Sequence, residues 1–382
     1  MKVQEVIMRA IGGQISWLDA AEILRWSPRT LRRWRSRYQQ YGYDGLFDRR
    51  KRRPSPRRVP FETVEKVLRL YREKYNGFNV RHYHEKLEEE HQVKLSYQWV
   101  KTALQTAGLV SPRSKRDVHR QKRERRSMAG MMLHCDGSTH AWMPAARWQP
   151  DLVVFMDDAT SEVYYARLVE EEDTKSMMAG IKSIVEKKGL FCSLYTDRGS
   201  HFFTTPKAGG PVDKKNLTQI GRALSQLGIE HIASYSPQGR GRMERLYETW
   251  QGRLPQELQV AGIKDLESTN EYLTKTFIPW HNRKLTVAAK EKESAFVPVG
   301  TADLESICCI QEERVVNQDN TVSYGNKRLQ IGAGEQRNSY AKSRVKVCEH
   351  LEGHLSIRYG PRILGWYEAD GKPMKHHQKK AA

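Results

Sequence analysis

The sequence predicts a multidomain α+β protein with an all-α N-terminal region, a central α/β core and a small C-terminal β-barrel. Three observations support this: helical patterns and most of the excess positive charge fall in the first third, strand and helix patterns alternate in the middle, and short strands alternate with turns at the end. The 382 residues are enough for about two to four domains. We expect four, at residues 1–48, 60–110, 128–290 and 308–370.

Positive charge is segregated along the chain. Lys and Arg outnumber Asp and Glu by 31 to 14 in residues 1–127, match them at 21 to 21 in residues 128–300, and exceed them by 13 to 10 in residues 301–382. A soluble surface would explain the total charge but not its segregation. The first third is therefore expected to bind double-stranded DNA, because Lys and Arg near phosphates release condensed counterions.

Apolar segments and cysteines indicate the compartment. No run of 18 apolar residues occurs, and residues 1–12 lack the apolar stretch of a signal peptide. The five cysteines are scattered and never spaced as CxxC, which favours reduced thiols. We expect a soluble, cytoplasmic protein with no membrane partner and no organic cofactor.

Residues 15–42 predict two short helices joined by a tight turn. Ser16 and Asp19 form a capping-box pattern before the first helix, Ser27 precedes Pro28 at the start of the second, and Gly42 follows its end. On the second helix the predicted buried stripe is Leu31, Trp34, Tyr38 and Tyr41. Outside that stripe, on a face suited to the major groove, lie Arg29, Thr30, Arg32, Arg33 and Arg37.

A basic linker and a second helical unit follow. Residues 49–58 hold seven Lys or Arg and two Pro, and this segment is expected to follow the DNA backbone or minor groove. Its predicted DNA contacts are Arg49, Arg50, Arg52 and Arg53. Helices are expected at residues 60–75, 80–91 and 97–107, the last capped by Ser96. On that last helix Tyr97, Gln98 and Lys101 are predicted to face a groove.

From residue 131 the pattern changes to alternating strands and helices. Strands are expected at residues 131–143, 152–156, 163–169, 190–196 and 229–234, and helices at 173–187, 215–227 and 242–258. Three strands, helix, strand, helix, strand, helix is the order of the ribonuclease H-like fold. Residues 314–368 alternate short strands with turns and predict the small barrel.

Three motifs contain acidic residues in this core: LHCDGSTHAW (133–142), YTDRGSHF (195–202) and SPQGRGRMERLYETWQGRLPQEL (236–258). They resemble the three acidic blocks of bacterial insertion-sequence DDE transposases in the retroviral-integrase superfamily. PWHNRKL (279–285) and DNTVSYGNKRLQI (319–331) resemble the ISNCY-type group of that superfamily. Matched block by block, the resemblance implies that Asp136, Asp197 and Glu244 are the catalytic metal ligands.

The resemblance also implies an activity and partners. It implies hydrolysis at transposon ends to free a 3′-hydroxyl, joining of that end to target DNA, and a homo-oligomer that pairs two ends near the bacterial nucleoid. Three oxygen ligands suit two Mg²⁺ or Mn²⁺ ions, which stabilise both the attacking and the leaving oxygen in phosphoryl displacement. Arg240 and Arg242, with Arg198 and Arg245, are expected to hold DNA near these ions.

Element positions give the same assignment independently of the resemblance. Asp136 lies in the first predicted strand and Asp197 just past the fourth, and neighbouring strands bring such carboxylates to one sheet edge. Glu244 borders the apolar stripe of the predicted helix at residues 242–258. Because 46 residues separate Asp197 from Glu244, the Glu244 assignment depends on the motif and not on spacing.

Other residues have competing interpretations. Asp157 and Asp158 are explained as turn residues, and Glu248 lies farther from the apolar stripe than Glu244. Cys135 could add a thiolate ligand, but alternation along a strand should point it away from Asp136. Two groups of three histidines have different alternatives: His82, His84 and His91, then His134, His140 and His201. For the first three, solvated side chains are favoured over a zinc site, because no paired cysteines accompany them. The last three flank the aspartates and could contact phosphate or transfer protons, but a structural role is the default.

Three other functions remain open. A DNA-binding regulator would not need all three acids. A recombinase would form a covalent serine or tyrosine link to DNA, and Ser138 is a candidate nucleophile. A plain nuclease would not need two DNA-reading units and a terminal barrel.

Overall fold

The computed structural model describes residues 3–47, 58–112, 123–144, 146–207, 210–235, 237–333 and 337–374. The chain separates into two compact units, Met1–Arg69 and Leu70–Ala382. The linker arginines Arg49, Arg50, Arg52 and Arg53 lie outside the described residues. Within the described ranges, no helix is long and apolar enough to cross a lipid bilayer.

The first unit is a small helical bundle. Helix α1 (Val3–Ile11) precedes α2 (Trp17–Leu24) and α3 (Pro28–Tyr41), and a 3-10 turn (Gly42–Leu46) follows. Val6 and Ile7 of α1 are buried with Leu31 of α3. The sequence-based account did not predict α1, although its apolar residues recur at helical spacing.

Predicted helix caps in this unit are confirmed. Ser16 and Asp19 form a capping box, Ser27 caps α3 with Pro28 in its first turn, and Gly42 ends α3 with a positive φ of 57°. The predicted apolar stripe is confirmed for Leu31, which is buried, and for Trp34 and Tyr38, which pack against this core. It is wrong for Tyr41, which is exposed.

A second group of helices has the predicted order. Helix α4 (Phe61–Glu73) crosses the boundary between the units, and α5 (Val80–Glu89) and α6 (Tyr97–Thr106) follow. Asn79 caps α5 and Ser96 caps α6. Val100 and Leu104 are buried, so α6 directs its first-turn residues Tyr97 and Gln98 outward, where both are exposed.

A five-stranded mixed sheet forms the centre of the second unit. The strands run in the spatial order β3-β2-β1-β4-β5. The first three strands are antiparallel, whereas β4 and β5 continue parallel to β1. Their bounds are β1 (Leu133–Thr139), β2 (Asp151–Asp157), β3 (Val163–Val169), β4 (Ser193–Thr196) and β5 (Glu230–Ala233).

Helices cover both faces of this sheet. Helices α7 (Thr174–Lys188) and α8 (Gln219–Gln226) pack on one face, and α9 (Pro237–Gln251) packs on the other with α10 (Leu254–Ala261). The predicted order of strands and helices is confirmed. The prediction of one helix at residues 242–258 is wrong, because two helices occupy this segment. The first helix ends before a turn at Gly252 and Arg253, and the second begins at Leu254 with Pro255 in its first turn.

Two asparagines pair with the exposed edge of β3. They lie on helical segments α11 (Leu266–Tyr272) and α12 (Ile278–Lys284), which a π-helical turn (Leu273–Phe277) joins. Asn270 bonds the backbone N–H and carbonyl of Leu168, and Asn282 does the same at Val163. Asn282 belongs to the motif PWHNRKL, which therefore closes a sheet edge.

The C-terminal region is β-rich, but the predicted barrel is not closed in the described residues. After α13 (Leu304–Ile307), four strands form an open antiparallel sheet in the order β11-β10-β9-β6, and β7 pairs only with β8 as a hairpin. The sheet and hairpin share a buried core that includes Val322, Leu329 and Val347. The bounds are β6 (Ile310–Val315), β7 (Thr321–Tyr324), β8 (Lys327–Gln330), β9 (Arg344–Glu349), β10 (Leu355–Tyr359) and β11 (Arg362–Tyr367).

Candidate active site

Asp136 and Asp197 lie side by side at the neighbouring inner strands of the central sheet, where β4 ends next to the middle of β1. His134 of β1 pairs in parallel register with Tyr195 of β4, so the aspartates, each two residues farther along, are level with each other. Arg240 lies between them: one guanidinium nitrogen contacts Asp136 Oδ1 and the other lies 3.9 Å from Asp197 Oδ2. The structure therefore brings together three of the residues selected from sequence.

Helix α9 presents one polar face to β1. Arg240 contacts the Asp136 carboxylate, the Tyr247 hydroxyl donates to the Asp136 carbonyl at 2.5 Å, and Gln251 Nε2 donates to Ser138 Oγ at 3.4 Å. Glu244 falls between Arg240 and Tyr247 at the i, i+4, i+7 spacing of a single helix face. Its side chain is exposed, one helical turn beyond the residue that reaches both aspartates.

The buried apolar stripe of α9 fixes the rotation of the helix against the sheet. Met243, Leu246, Tyr247 and Trp250 are buried against the sheet, as the sequence predicts for the apolar stripe. Glu248 is exposed and lies one helical turn beyond Glu244, so it is farther both from Arg240 and from the apolar stripe.

The two aspartates fit a cation. Their carboxylates converge on one guanidinium, so this point of the sheet already stabilises positive charge, and carboxylate oxygens are the donors that Mg²⁺ and Mn²⁺ prefer. Among the described residues, however, no three Asp, Glu, His or Cys side chains are close enough together to hold a metal ion. The fit therefore rests on Asp136 and Asp197.

Electrostatics around these aspartates reflect crowding of negative charge. Burial raises the pKa of Asp136 to about 6, and although Arg240 opposes the shift, Asp197 and Glu172 add to it. Cys135 faces the opposite side of β1, where its thiol contacts Met177 Sδ at 3.3 Å within the core. The expected orientation of Cys135 is confirmed.

Glu172 is a nearby acid that the sequence-based account did not select. It lies between β3 and α7, and its Oε1 is 2.7 Å from His201 Nε2. Glu172 raises the pKa of His201, although partial burial of the ring opposes the shift. His201 thus has an acidic partner, whereas the sequence suggests only a default structural histidine.

Asp158, the residue after β2, accepts from a cluster of arginines. It is fully buried and accepts from Arg123, Arg242 and His134, the last at 2.7 Å. Burial would raise the pKa of Asp158, but the bonds from His134 and the Arg126 N–H hold it well below its usual range. The preceding Asp157 accepts from Thr160 N at 2.8 Å, which confirms its turn role.

This cluster places Arg242 away from the position expected for a DNA contact. Its side chain is only 9% exposed, and it also donates to the Arg123 carbonyl at 2.7 Å. His134 is likewise buried, and burial lowers its pKa. The structural interpretation of His134 is confirmed.

The N-terminal candidates for DNA contact lie on one helix. Arg29, Arg32 and Arg33 are exposed on α3. Thr30 is half-buried because its hydroxyl bonds the cap residue Ser27 at 2.9 Å, and Arg37 packs over the Trp34 ring at 5.2 Å. The exposed arginines are those best placed to reach a groove.

A buried polar cluster joins α5 to α10 in the second unit. His82 Nε2 lies 2.8 Å from Glu257 Oε1, Lys86 Nζ lies 2.9 Å from Glu257 Oε2, and Arg253 bonds Glu85 at 2.7 Å. Burial raises the pKa of Glu257, but bonds from His82 and Lys86 outweigh burial and lower it to about 2. This cluster holds α5 against the end of the helix that carries Glu244.

The predicted solvation of His82, His84 and His91 is wrong. His82 is fully buried at Glu257, His84 Nε2 bonds the Leu95 carbonyl at 2.7 Å, and His91 Nε2 bonds the Tyr75 hydroxyl at 3.0 Å. His84 and His91 thus have partners within the second group of helices, and His82 has its partner on α10. Sequence spacing does not reveal these partners.

Comparison with known proteins agrees with these features. A helix-turn-helix domain model matches residues 4–55 and a homeodomain-like domain model matches residues 30–104. A relative from Sinorhizobium fredii that carries the name transposase y4bF is 28% identical over 93% of this chain and 78% of its own length. The transposase for insertion sequence IS1202 of Streptococcus pneumoniae is 26% identical over 94% of this chain and 84% of its own.

The resemblance to insertion-sequence transposases is confirmed. It covers both the helical N-terminal region and the sheet that carries Asp136 and Asp197.

Solved structures that match this chain include a viral integrase core domain and a viral intasome. The HTLV-2 integrase catalytic core domain in complex with magnesium is 15% identical over 44% of this chain and 95% of its own, with a TM-score of 0.32. The simian T-cell lymphotropic virus intasome in complex with PP2A regulatory subunit B56 gamma is 13% identical over 77% of this chain and 99% of its own, with a TM-score of 0.34. Overlaps this loose do not align individual side chains.

Proposed function

We propose that this protein is a DNA transposase that binds the terminal inverted repeats of its element, cuts at their ends to free 3′-hydroxyls, and joins those ends to target DNA. The observation that carries this proposal is the pair of level aspartates, Asp136 within β1 and Asp197 just past β4, which both lie against the guanidinium of Arg240 on α9. The transposase relatives and the helix-turn-helix matches support it.

Asp136, Asp197 and Glu244 are the proposed ligands of two Mg²⁺ or Mn²⁺ ions. Such ions, when bound, stabilise the attacking and leaving oxygens of an in-line phosphoryl displacement. The parallel register of β1 and β4 sets the separation of the aspartates. Tyr247, bonded to the Asp136 carbonyl, holds α9 against β1, and Glu244 is the acid on α9 one helical turn from Arg240.

The described arginines have different proposed roles. Arg240 is already beside both aspartates, so we assign it to the DNA phosphate nearest the cut. Arg242, committed to Asp158, acts by holding α9 in place. On α3, Arg29, Arg32 and Arg33 are the proposed groove contacts, and on α6 they are Tyr97, Gln98 and Lys101. A homo-oligomer that pairs two ends is part of the same proposal.

The direct experiment first selects bound DNA from a random pool and then uses that sequence as substrate. Wild-type protein should nick the selected end in Mg²⁺ or Mn²⁺, join it to a second duplex, and do neither in EDTA. Cutting without joining would indicate a nuclease. Protein covalently attached to the cut DNA would indicate a serine recombinase and overturn the proposal.

Arg33→Ala tests the proposed recognition helix. A side chain that reads a base edge contributes about 1–3 kcal/mol of discrimination, so affinity for the selected end should fall by that amount while affinity for random DNA of equal length barely changes. Fluorescence anisotropy at fixed salt measures both.

The matched control for Arg33 is Arg35→Ala. Arg35 lies over the Trp17 ring, with its guanidinium carbon 5.5 Å from the ring centroid, on the other side of α3. Its loss should leave the preference for the selected end unchanged. Equal losses of specific and random binding in Arg33→Ala would show that Arg33 contacts only phosphate.

A further inference from the structure

The carboxylate of Glu172 lies against the strand that carries Asp136. A Cβ placed on Gly137 would lie 1.6 Å from Glu172 Oε2, so any residue larger than glycine would collide with this carboxylate. The backbone of Glu172 is anchored to the sheet, because its N–H donates to Asp151 Oδ2 at 2.9 Å. Asp151 in β2 pairs with Thr139 in β1. The absence of a side chain at Gly137 thus makes room for the Glu172 carboxylate against β1, at the residue after Asp136 and on the opposite face of the strand from the Asp136 side chain.

His201 connects Glu172 to the loop that carries Asp197. Its Nε2 lies 2.7 Å from Glu172 Oε1, and it follows Asp197 by four residues in the motif YTDRGSHF. Between them, a Cβ on Gly199 would lie 3.1 Å from both Asp197 Oδ1 and His201 Cε1. The Glu172–His201 pair therefore spans from the residue after Asp136 to the loop of Asp197.

The Glu172–His201 contact is a second connection between β1 and the Asp197 loop. The first connection is Arg240, whose side chain occupies the proposed cation site. Arg240 contacts both aspartates, but a metal ion bound by those carboxylates would compete with its guanidinium for the same oxygens. Two carboxylates that face each other repel once a shared cation leaves. The Glu172–His201 pair can hold the Asp197 loop against β1 whether Arg240 or a metal ion is present.

We propose that Glu172 and His201 are positioning residues that fix the separation of Asp136 and Asp197 for metal binding. This inference rests on the proposed function. Residues that orient metal ligands without contacting the metal change metal affinity by about 10–100-fold when they are lost. Glu172→Ala and His201→Ala should each weaken Mn²⁺ binding by that factor in the DNA-free, full-length protein, as measured by electron paramagnetic resonance. Binding of end DNA without metal should not change.

Gly137→Ala tests the same assignment without removing either partner. The added methyl group must displace the Glu172 carboxylate, so Gly137→Ala should weaken Mn²⁺ binding as much as Glu172→Ala does. In the Glu172→Ala background the methyl group has space, and the double variant should bind Mn²⁺ no more weakly than Glu172→Ala alone. Gly332→Ala, where an added Cβ has no neighbour within 4 Å, is the matched control and should bind as wild type.

The outcomes separate this inference from the proposed function. If wild type binds Mn²⁺ no better than Asp136→Asn, the proposed metal site itself is wrong. If wild type binds Mn²⁺ and Glu172→Ala binds it equally well, Glu172 is not a positioning residue. If Gly137→Ala is as harmful in the Glu172→Ala background as in wild type, its effect does not pass through Glu172 and the inference is overturned.

Discussion

Asp136→Asn and Asp197→Asn should each abolish both strand cleavage and strand joining while leaving end binding intact. Asparagine keeps the size of the side chain but removes the negative charge that Arg240 and the proposed metal ions require. Several kcal/mol of transition-state stabilisation depend on such ions, so the rate should fall by about a thousandfold or more. Gel assays on the selected end, with and without a pre-cut 3′-hydroxyl, measure both reactions.

Asp213→Asn is the matched control for this loss of charge. Asp213 belongs to the same long connection after β4 as Asp197. Its carboxylate accepts from the backbone N–H groups of Lys215 and Asn216, at 2.8 and 3.3 Å. An asparagine oxygen can accept the same bonds, so activity should stay near wild type. Rescue of the Asp136 or Asp197 variants by pre-cut ends would contradict the assignment, because one site serves both steps.

Glu257→Ala should cause the largest loss of stability. It removes one of the two carboxylate partners of Lys86 and of Arg253, and it removes the acceptor of His82. Lys86 keeps Glu90, and Arg253 keeps Glu85. Breaking a buried ion pair by removing one partner lowers the free energy of unfolding by about 3–5 kcal/mol, and because each cation keeps one carboxylate the loss should lie at the lower end of that range. Urea denaturation of the full chain at neutral pH, followed by tryptophan fluorescence, measures this change.

Glu271→Ala is the surface counterpart. Glu271 pairs with Lys275 on the same helical stretch, and both side chains are more than half exposed, so its loss should cost less than about 1 kcal/mol. Similar small losses in both variants would show that the Glu257 cluster does not hold α5 in place.

Acid should reproduce the loss caused by Glu257→Ala. The pKa of Glu257 is lowered from 4.5 to about 2 in the folded chain. A carboxyl group whose pKa is lower in the folded state than in the unfolded state stabilises the folded chain at pH values above the unfolded pKa. That contribution disappears as pH falls through the folded pKa. The difference in unfolding free energy between wild type and Glu257→Ala should therefore shrink between pH 4.5 and about pH 2.

Local patterns were sufficient to predict most elements and the meeting of two catalytic candidates. Short apolar segments predict β1 and β4, and the parallel pairing of these strands places Asp136 level with Asp197. Caps such as Ser16, Ser27 and Ser96 act within one helical turn, so sequence alone locates them.

Contacts between distant residues could not be predicted in this way. Glu172 acquires its meaning from Gly137 and His201, and Arg242 is committed to Asp158, 84 residues away. Neither partnership leaves a periodic signal. The break between α9 and α10 had a local signal in Gly252 and Pro255, but the apolar stripe that continues through Leu254 and Leu258 obscured it.

The most direct test of the proposed catalytic triad compares Glu244→Gln with Glu248→Gln on the selected end in Mg²⁺. Both side chains are exposed on α9, so loss of charge, helix propensity and folding are matched between the two variants. Glu244 lies one helical turn from Arg240, whereas Glu248 lies a second turn away and farther round the helix from the buried apolar stripe. We predict that Glu244→Gln neither cuts nor joins DNA and that Glu248→Gln retains most activity. An inactive Glu248→Gln with an active Glu244→Gln would contradict the assigned register, and full activity in both variants would contradict the triad itself.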